Sequence, residues 1–439
     1  MWKTDWDCYS PRVRFIGRRR LFIMSVCLCV VVAGASPESF GAFSSPNLLQ
    51  RATAATESVC GRLLTGGNRV TLLINGPATY KAMFEAVRNA KDHVNLEIFS
   101  VEDNERGRRL ADLLIRKQSE GVQVNLMYDS AGSFFAPASF FDRMRKAGIS
   151  VLEFDPVNPL KARGAWRPAH RDHRKVLIAD GKVVITGGIN LAQDYSMGLF
   201  PGEEEHKRAQ MPWRDTDVRI EGPAVAEFQK NFIDTWKRQK GPELPRRDYF
   251  PPLKKEGEEE VCVLANYPGK MNEVIYAMYL SAIDAATESI HLTNAFFIPD
   301  KKLQDALSGA AARGVDVKII LPAFGDNPFV FRAGRYYYSK LLKSGVKIYE
   351  YRNGVLHAKT AVIDGVWSTV GSANIDYWGF RYDDEENAAI IGRRFAVEMG
   401  KMFAVDLRES NEIRQAVWEK RPLSVKIREW LAHLFARWL

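Results

Sequence analysis

Two stretches of the chain spell the same pattern. His173 to Asn190 reads HRKVLIADGKVVITGGIN, and His357 to Asn374 reads HAKTAVIDGVWSTVGSAN. Each is His-x-Lys, four residues, Asp, six residues, two small residues, one residue and Asn. The histidines stand 184 residues apart, a domain-sized period far longer than that of a solenoid. One chosen alignment would match this well by chance about 3 times in 10⁷, and a few hundred alignments raise that only to about 10⁻⁴. The chain is therefore a duplication, and it has to fold into two like units.

Within each copy the apolar run after the lysine, VLIAD or TAVID, is short and β-branched. It reads as a buried strand ending in a turn at Asp180-Gly181 or Asp364-Gly365, with VVITG or WSTVG returning as a second strand. Side chains alternate along a strand, so His173 and Lys175 point one way, as do His357 and Lys359. Gly187, Gly188, Gly371 and Ser372 are expected to keep Cβ bulk away from a site where an oxyanion approaches backbone N–H groups. Asp180 and Asp364 end their strands and are expected to brace the fold by turn hydrogen bonds and ion pairs. An imidazole, an ammonium and an amide on one rim form a device for holding and attacking a phosphoryl group.

The doubled HxKxxxxD pattern, followed by GG or GS and then Asn, resembles the phospholipase D superfamily. The strings HRKVLIADGKVVITGGIN, WRDTDVRIEGPAV (213 to 225) and GSANIDYWGFRYDDEEN (371 to 387) are similar to those of bacterial cardiolipin synthases. The resemblance covers about residues 70 to 439. It implies that His173 and His357 are the catalytic pair, with His173 as nucleophile and His357 as general acid and base, although the two copies are symmetric enough to exchange these roles. Lys175, Lys359, Asn190 and Asn374 would clamp the nonbridging phosphate oxygens. Each imidazole needs a carboxylate to fix its tautomer, and the resemblance offers Glu385 and, in the WRD string, Asp215, displaced along the chain by a loop through residues 201 to 205. The resemblance implies no cofactor, and no metal is required because the lysines supply positive charge. One departure stands out: the related synthases carry WRDTH, whereas this chain has WRDTD, with Asp217 in the fifth place. That carboxylate either alters acceptor binding or points away from the site.

The implied fold is α/β, with two phospholipase D-like lobes, each a mixed β-sheet flanked by helices, related by a pseudo-twofold with the active site at the seam. The chain order supports it independently. Residues 70–76, 93–103, 122–129 and 148–157 read as strands, with helices at 78–90 and 107–118; the second half repeats this with helices at 273–286 and 301–314 and strands at 289–300 and 315–322. The expected division is a signal peptide or membrane anchor over 1–35, a flexible leader over 36–69, lobe one over 70–236, a surface linker over 237–260, lobe two over 261–408 and a C-terminal amphipathic helical segment over 409–439.

The first boundary rests on Arg12, Arg14, Arg18, Arg19 and Arg20 preceding the apolar stretch Leu21 to Ala35. Beyond it only Cys60 and Cys262 remain, and each is expected to be a free, inert thiol, with one bridge as the alternative. The net charge of +9 favours an anionic partner, either an acidic bilayer or a nucleic acid. The C-terminal segment sets Val425, Ile427, Trp430, Leu431, Leu434, Phe435, Trp438 and Leu439 on one apolar face, which suits either a lipid interface or docking on the core. FFAPASFFDRM (134 to 144), NPLKARGAWRPAHRD (158 to 172) and FGDNPFVFRAGRYYYSK (324 to 340) suit either a lipid boundary or caps on the lobes. The expected reaction is phosphatidyl transfer from phosphatidylglycerol at an anionic phospholipid membrane, on the periplasmic face of a bacterial inner membrane. Phospholipase D hydrolysis is the nearest alternative and a phosphodiester nuclease the next; the leader, the C-terminal helix and the WRD string argue against nucleic acid. No obligate protein partner is evident.

Overall fold

In the computed structural model of this chain, residues 46–162, 167, 169–191, 211–267, 273–325 and 328–435 are described. The expected signal or anchor, the loop through 201–205, and Trp438 and Leu439 lie outside them.

Lobe one contributes strands β1 (Leu64–Ile74), β2 (His93–Ile98), β3 (Gln123–Asp129), β4 (Ser150–Phe154), β5 (Lys175–Ala179), β6 (Val183–Gly187), β7 (Trp213–Arg214) and β8 (Thr216–Glu221). Lobe two contributes β9 (Glu259–Asn266), β10 (Ser289–Asn294), β11 (Asp316–Pro322), β12 (Lys347–Tyr351), β13 (Val355–Leu356), β14 (Lys359–Ile363), β15 (Trp367–Gly371), β16 (Glu385–Ile391) and β17 (Ser410–Glu412). The two sheets run β4-β3-β2-β5-β6-β8-β1 and β12-β11-β10-β14-β15-β16-β9, the same order strand for strand, with β17 added at the outer edge of lobe two. In each, three parallel strands adjoin an antiparallel half. β1 and β9 pair antiparallel at Leu64 with Cys262 and Thr65 with Val261, so among the described residues the sheets join into one of 15 strands. This is the expected pair of mixed-sheet α/β lobes.

Helices cover both faces, and the motif strands β5 and β14 are buried at every residue as a result. On the inner face, helices Val225–Arg238 and Arg393–Arg408 bring Phe228, Phe232, Phe395 and Met399 into one cluster with Val176 of lobe one and Val362 of lobe two. The core at the seam therefore belongs to both lobes. Each motif hairpin turns through Asp-Gly with positive φ at both residues, +53° and +61° at Asp180-Gly181 and +51° and +62° at Asp364-Gly365, the geometry that a two-residue turn between twisted strands requires. Asp180 accepts the N–H groups of Lys91, Asp92 and His93 at 2.8–3.1 Å. Asp364 accepts those of Thr287, Glu288 and Ser289 at 2.8–2.9 Å. Both carboxylates are engaged at the entry to β2 or β10, away from the histidines.

Four expectations need correction. The flexible leader gives way at Pro46 to a helix, Pro46–Cys60, and then to β1. Leu48, Ala52, Thr56 and Cys60 recur every four residues and are buried on lobe two. Cys60 and Cys262 form a disulfide across Cα atoms 6.4 Å apart, because that helix delivers Cys60 to the lobe-two core face of β9. The charged linker is not a free surface strand: Leu244, Tyr249 and Leu253 pack against the core, and the Trp236 indole donates to the carbonyl of Pro242 at 2.8 Å. Finally, the C-terminal segment is broken. After β17 and a short helix, Gln415–Trp418, only Leu423–Leu434 is a longer helix, begun after Pro422.

Candidate active site

The two histidines meet at the seam through backbone bonds that cross it. His173 precedes β5, and its N–H donates to the carbonyl of Asp384 at 2.9 Å, while the Asp384 N–H donates to Arg171 at 2.8 Å. His357 precedes β14, and its N–H donates to Arg214 at 2.9 Å, next to a parallel ladder between β7 and β13. Each histidine is thereby pinned beside the residue that precedes the other lobe's carboxylate.

The carboxylates consequently cross over. His173 Nδ1 lies 2.8 Å from Glu385 Oε1, and His357 Nδ1 lies 2.7 Å from Asp215 Oδ2. A carboxylate on Nδ1 holds the proton there and leaves the Nε2 lone pair outward. The Ser372 hydroxyl donates to the second oxygen of Glu385, and the Thr216 N–H donates to Asp215 at 2.8 Å. Arg214 is held by a buried, bidentate pair with Asp406 at 2.7 Å on both arms, which fixes the WRD strand that presents Asp215.

Burial pushes the His357 imidazole down to about 3, helped by Lys359 and opposed by Asp215. His173 is also lowered, first by burial and then by the Lys175 and Lys359 ammonium groups against the pull of Glu385. Burial lowers Lys175 to about 7, with Lys359 acting in the same direction. Both lysines donate to the carbonyl of the histidine two residues before them. The site thus sets two neutral imidazoles beside buried lysines, a setting that draws in an anion.

Asn190 accepts the Ser100 N–H at 3.2 Å through its side-chain oxygen, leaving a buried Nδ2 without a partner among the described residues. At Asn374 the buried atom without a partner among the described residues is Oδ1, and a half-turn of the amide presents an N–H there as at Asn190. The small residues act differently from expectation. The N–H groups of Gly188 and Ser372 donate to the carbonyls of Thr216 and Glu386. What a side chain at Gly187, Gly188 or Gly371 would strike is Asp217, Asp215 or Asn387. They make room for the side chains of Asp217, Asp215 and Asn387. Asp217 itself is engaged by the backbone: it accepts the Ile189 N–H at 3.0 Å, as Asn387 accepts that of Ala373 at 3.1 Å. Burial, with the nearby Asp215 charge, raises Asp217 well above the usual carboxylate range, so a protonated Asp217 matches Asn387.

A family model described as cardiolipin synthase, PLD-like domain, matches residues 83–197 and 279–407, one stretch in each lobe. The cardiolipin synthase of Geobacillus thermodenitrificans is 33% identical over 84% of this chain and 72% of its own. That of Listeria welshimeri is 34% identical over 86% and 76%. The chain belongs to the phospholipase D-like cardiolipin synthase family. Among solved structures, this phospholipase D-like chain shares its fold with phosphatidylserine synthase of Haemophilus influenzae at a TM-score of 0.63 and 13% identity, covering 89% of this chain and 100% of that one. Its enzymatic class is accordingly that of a phospholipase D-type phosphatidyltransferase.

Several residues of this phospholipase D-like site carry no signal in the repeat. Phe99 sets its ring edge-on to His173 at 4.9 Å, and Trp213 lies 5.4 Å from His357. His170 bridges Asp155 of lobe one at 2.8 Å and Asp384 of lobe two at 2.9 Å; burial opposes its charge, but the two carboxylates raise its pKa. Arg174, the variable residue of the first His-x-Lys, is fully buried and donates to the carbonyls of Glu385 at 3.3 Å and Asn266 at 2.7 Å. Its counterpart is Ala358, so only lobe one reaches across the seam in this way.

Proposed function

We propose that the protein transfers a phosphatidyl group from phosphatidylglycerol to the hydroxyl of a second lipid, forming cardiolipin. The observation that carries this reading is the pair of buried neutral imidazoles, each with Nδ1 on a carboxylate of the opposite lobe. As the phosphodiester binds, His357 takes up a proton from solvent on Nε2; His173 Nε2 then attacks phosphorus, the bond from phosphorus to the glycerol headgroup oxygen breaks, and His357 gives that proton to the departing oxygen. Burial keeps both rings neutral until substrate arrives, and the phosphodiester anion raises the proton affinity that His357 needs for this step. Neutral imidazole attacks without repelling the phosphate oxygens, and the phosphohistidine divides one difficult displacement into two. In the second half His357 takes the proton of the incoming hydroxyl, the new phosphorus–oxygen bond forms and the bond to His173 breaks. Lys175, Lys359, Asn190 and Asn374 hold the nonbridging oxygens as charge builds on them. The cardiolipin synthases of Geobacillus and Listeria, which match most of the chain, support the choice of acceptor.

The site of action is the periplasmic face of a bacterial inner membrane. The disulfide between Cys60 and Cys262 supports an oxidising compartment. Among the described residues no helix is long and apolar enough to cross a membrane.

The test is a product assay in anionic vesicles with headgroup- and acyl-labelled phosphatidylglycerol, beside His173→Ala and His357→Ala. Cardiolipin with released glycerol, lost in both variants, is the expected result. Phosphatidic acid alone would assign a hydrolase, and DNA cleavage without lipid turnover would overturn the lipid reading.

A further inference from the structure

Many of the large apolar side chains left in solvent gather at one end of the sheets. Ile98 closes β2 opposite Lys175, and Asp129 closes β3 opposite Phe154. Loops leaving the C-terminal ends of β2, β3 and β4 therefore open on the catalytic side. Phe134 and Phe135 follow β3 and are 67% and 82% exposed; Leu160 follows β4 and is 94% exposed. In lobe two Asn294 closes β10 opposite Lys359, and Pro322 closes β11 opposite Tyr351. Helix Pro328–Tyr336 follows on the same side, with Phe329 exposed.

The helix Leu423–Leu434 docks on that helix with its faces reversed. Glu429 and Ala432 are buried, Glu429 being tied to Arg421 at 2.7 Å and Arg335 at 3.4 Å. His433 stacks on Tyr336 at 4.0 Å and meets the Tyr337 hydroxyl at 3.0 Å. Outward, in solvent, stand Ile427, Trp430, Leu431, Leu434 and Phe435. A helix whose purpose was docking would bury that face. Between residues 423 and 434 the one carboxylate is Glu429, which faces inward, while Arg428 is exposed with the apolar face.

We propose that these two patches form one contact surface for an anionic phospholipid bilayer. The protein meets the bilayer with the catalytic end of both sheets: Phe134, Phe135 and Leu160 enter from lobe one, Trp430, Leu431 and Leu434 from lobe two, and the site opens between them. Aromatic and aliphatic side chains seat at the headgroup boundary, and Arg428 meets the lipid phosphates. A lipid donor then reaches the histidines with its acyl chains still in the membrane. The inference rests on the reading of the site as one that acts on phospholipid.

Hydrogen exchange of the full chain, with and without vesicles of phosphatidylglycerol and phosphatidylcholine, reads the contact directly. Exchange is expected to slow around 134–135 and 427–435 and to stay unchanged around Leu63, an exposed residue beside the opposite end of β1. Phe134→Ser with Phe135→Ser, or Trp430→Ser with Leu434→Ser, should lower turnover on vesicles about tenfold and spare turnover of dispersed short-chain phosphatidylglycerol. No protection at the two patches, protection equal to that at Leu63, or parallel loss on dispersed substrate would overturn the proposal. Protection at both patches in a protein that turns over no phosphatidylglycerol would keep the surface and defeat the substrate reading.

Discussion

Glu385 Oε1 lies 2.8 Å from His173 Nδ1, although 212 residues and the lobe boundary separate them. His357 and Asp215 repeat the relation at 2.7 Å in the opposite sense. Neither motif histidine takes this carboxylate from its own lobe. Replacing Glu385 by Gln, or Asp215 by Asn, keeps the shape but can present an N–H to the ring and favour the wrong tautomer. We expect kcat to fall by about 10²–10⁴ with KM and thermal unfolding little changed. A variant that loses folding and activity together would show the carboxylate acting through the seam instead.

Lys175 sets the alkaline limit. Its ammonium must be present to hold the phosphate, and burial has lowered it to about 7. The charged fraction falls as pH rises through that value, so kcat/KM should decline above about pH 7. The nucleophile His173, lowered by burial, is already neutral there and imposes no acid limb close to neutrality. A pH profile of Lys175→Arg, whose guanidinium stays charged, should lose the alkaline limb even if its absolute rate is lower. An unchanged limb would assign it to another group.

Asp217→Asn should be active and more stable. Asp217 has a folded pKa well above the unfolded one, so its native state favours the proton. That costs stability as pH rises past the unfolded value near 4. Asparagine accepts the same Ile189 N–H without the charge, as Asn387 does in lobe two. The expected gain at pH 7 is about 1–2 kcal/mol, shrinking towards pH 4 in thermal unfolding. A folded but inactive Asp217→Asn would give the carboxylate a role in the reaction.

Reduction of the Cys60–Cys262 bond, or Cys60→Ser, should lower stability by about 2–4 kcal/mol and release helix Pro46–Cys60 first. Limited proteolysis near residue 50 reads that step. Equal protease resistance with and without reductant would show that Leu48, Ala52 and Thr56 hold the helix unaided.

The doubled motif made the two lobes, both histidines and both lysines legible, because strand alternation and a repeat are local properties of a sequence. What faces across a seam is not local. Glu385 and Asp215 could be nominated from the strings around them, but spacing within one lobe could not show that each serves the other's histidine. Phe99, Trp213 and His170 stand outside the repeat and gain their places only when the lobes pair. Helix Pro46–Cys60 has the small-residue composition of a leader, and its four-residue spacing acquires meaning only against the face of lobe two that it covers. Around Leu423–Leu434 the amphipathic pattern was visible, whereas its orientation depended on Arg335 and Arg421 reaching Glu429 from elsewhere in the chain.

The central placement of β1 has a consequence for how the protein is made. Val70 pairs with Ile220 and Leu64 with Cys262, so a strand at the start of lobe one waits for partners that emerge much later on both of its sides. Such distant pairings close slowly, because a long loop must be ordered before its contacts are gained. Until β8 and β9 arrive, both edges of β1 are open to other strands. A chain cut short before lobe two would not be half an enzyme; it would be a sheet with a raw edge, prepared to pair with its neighbours.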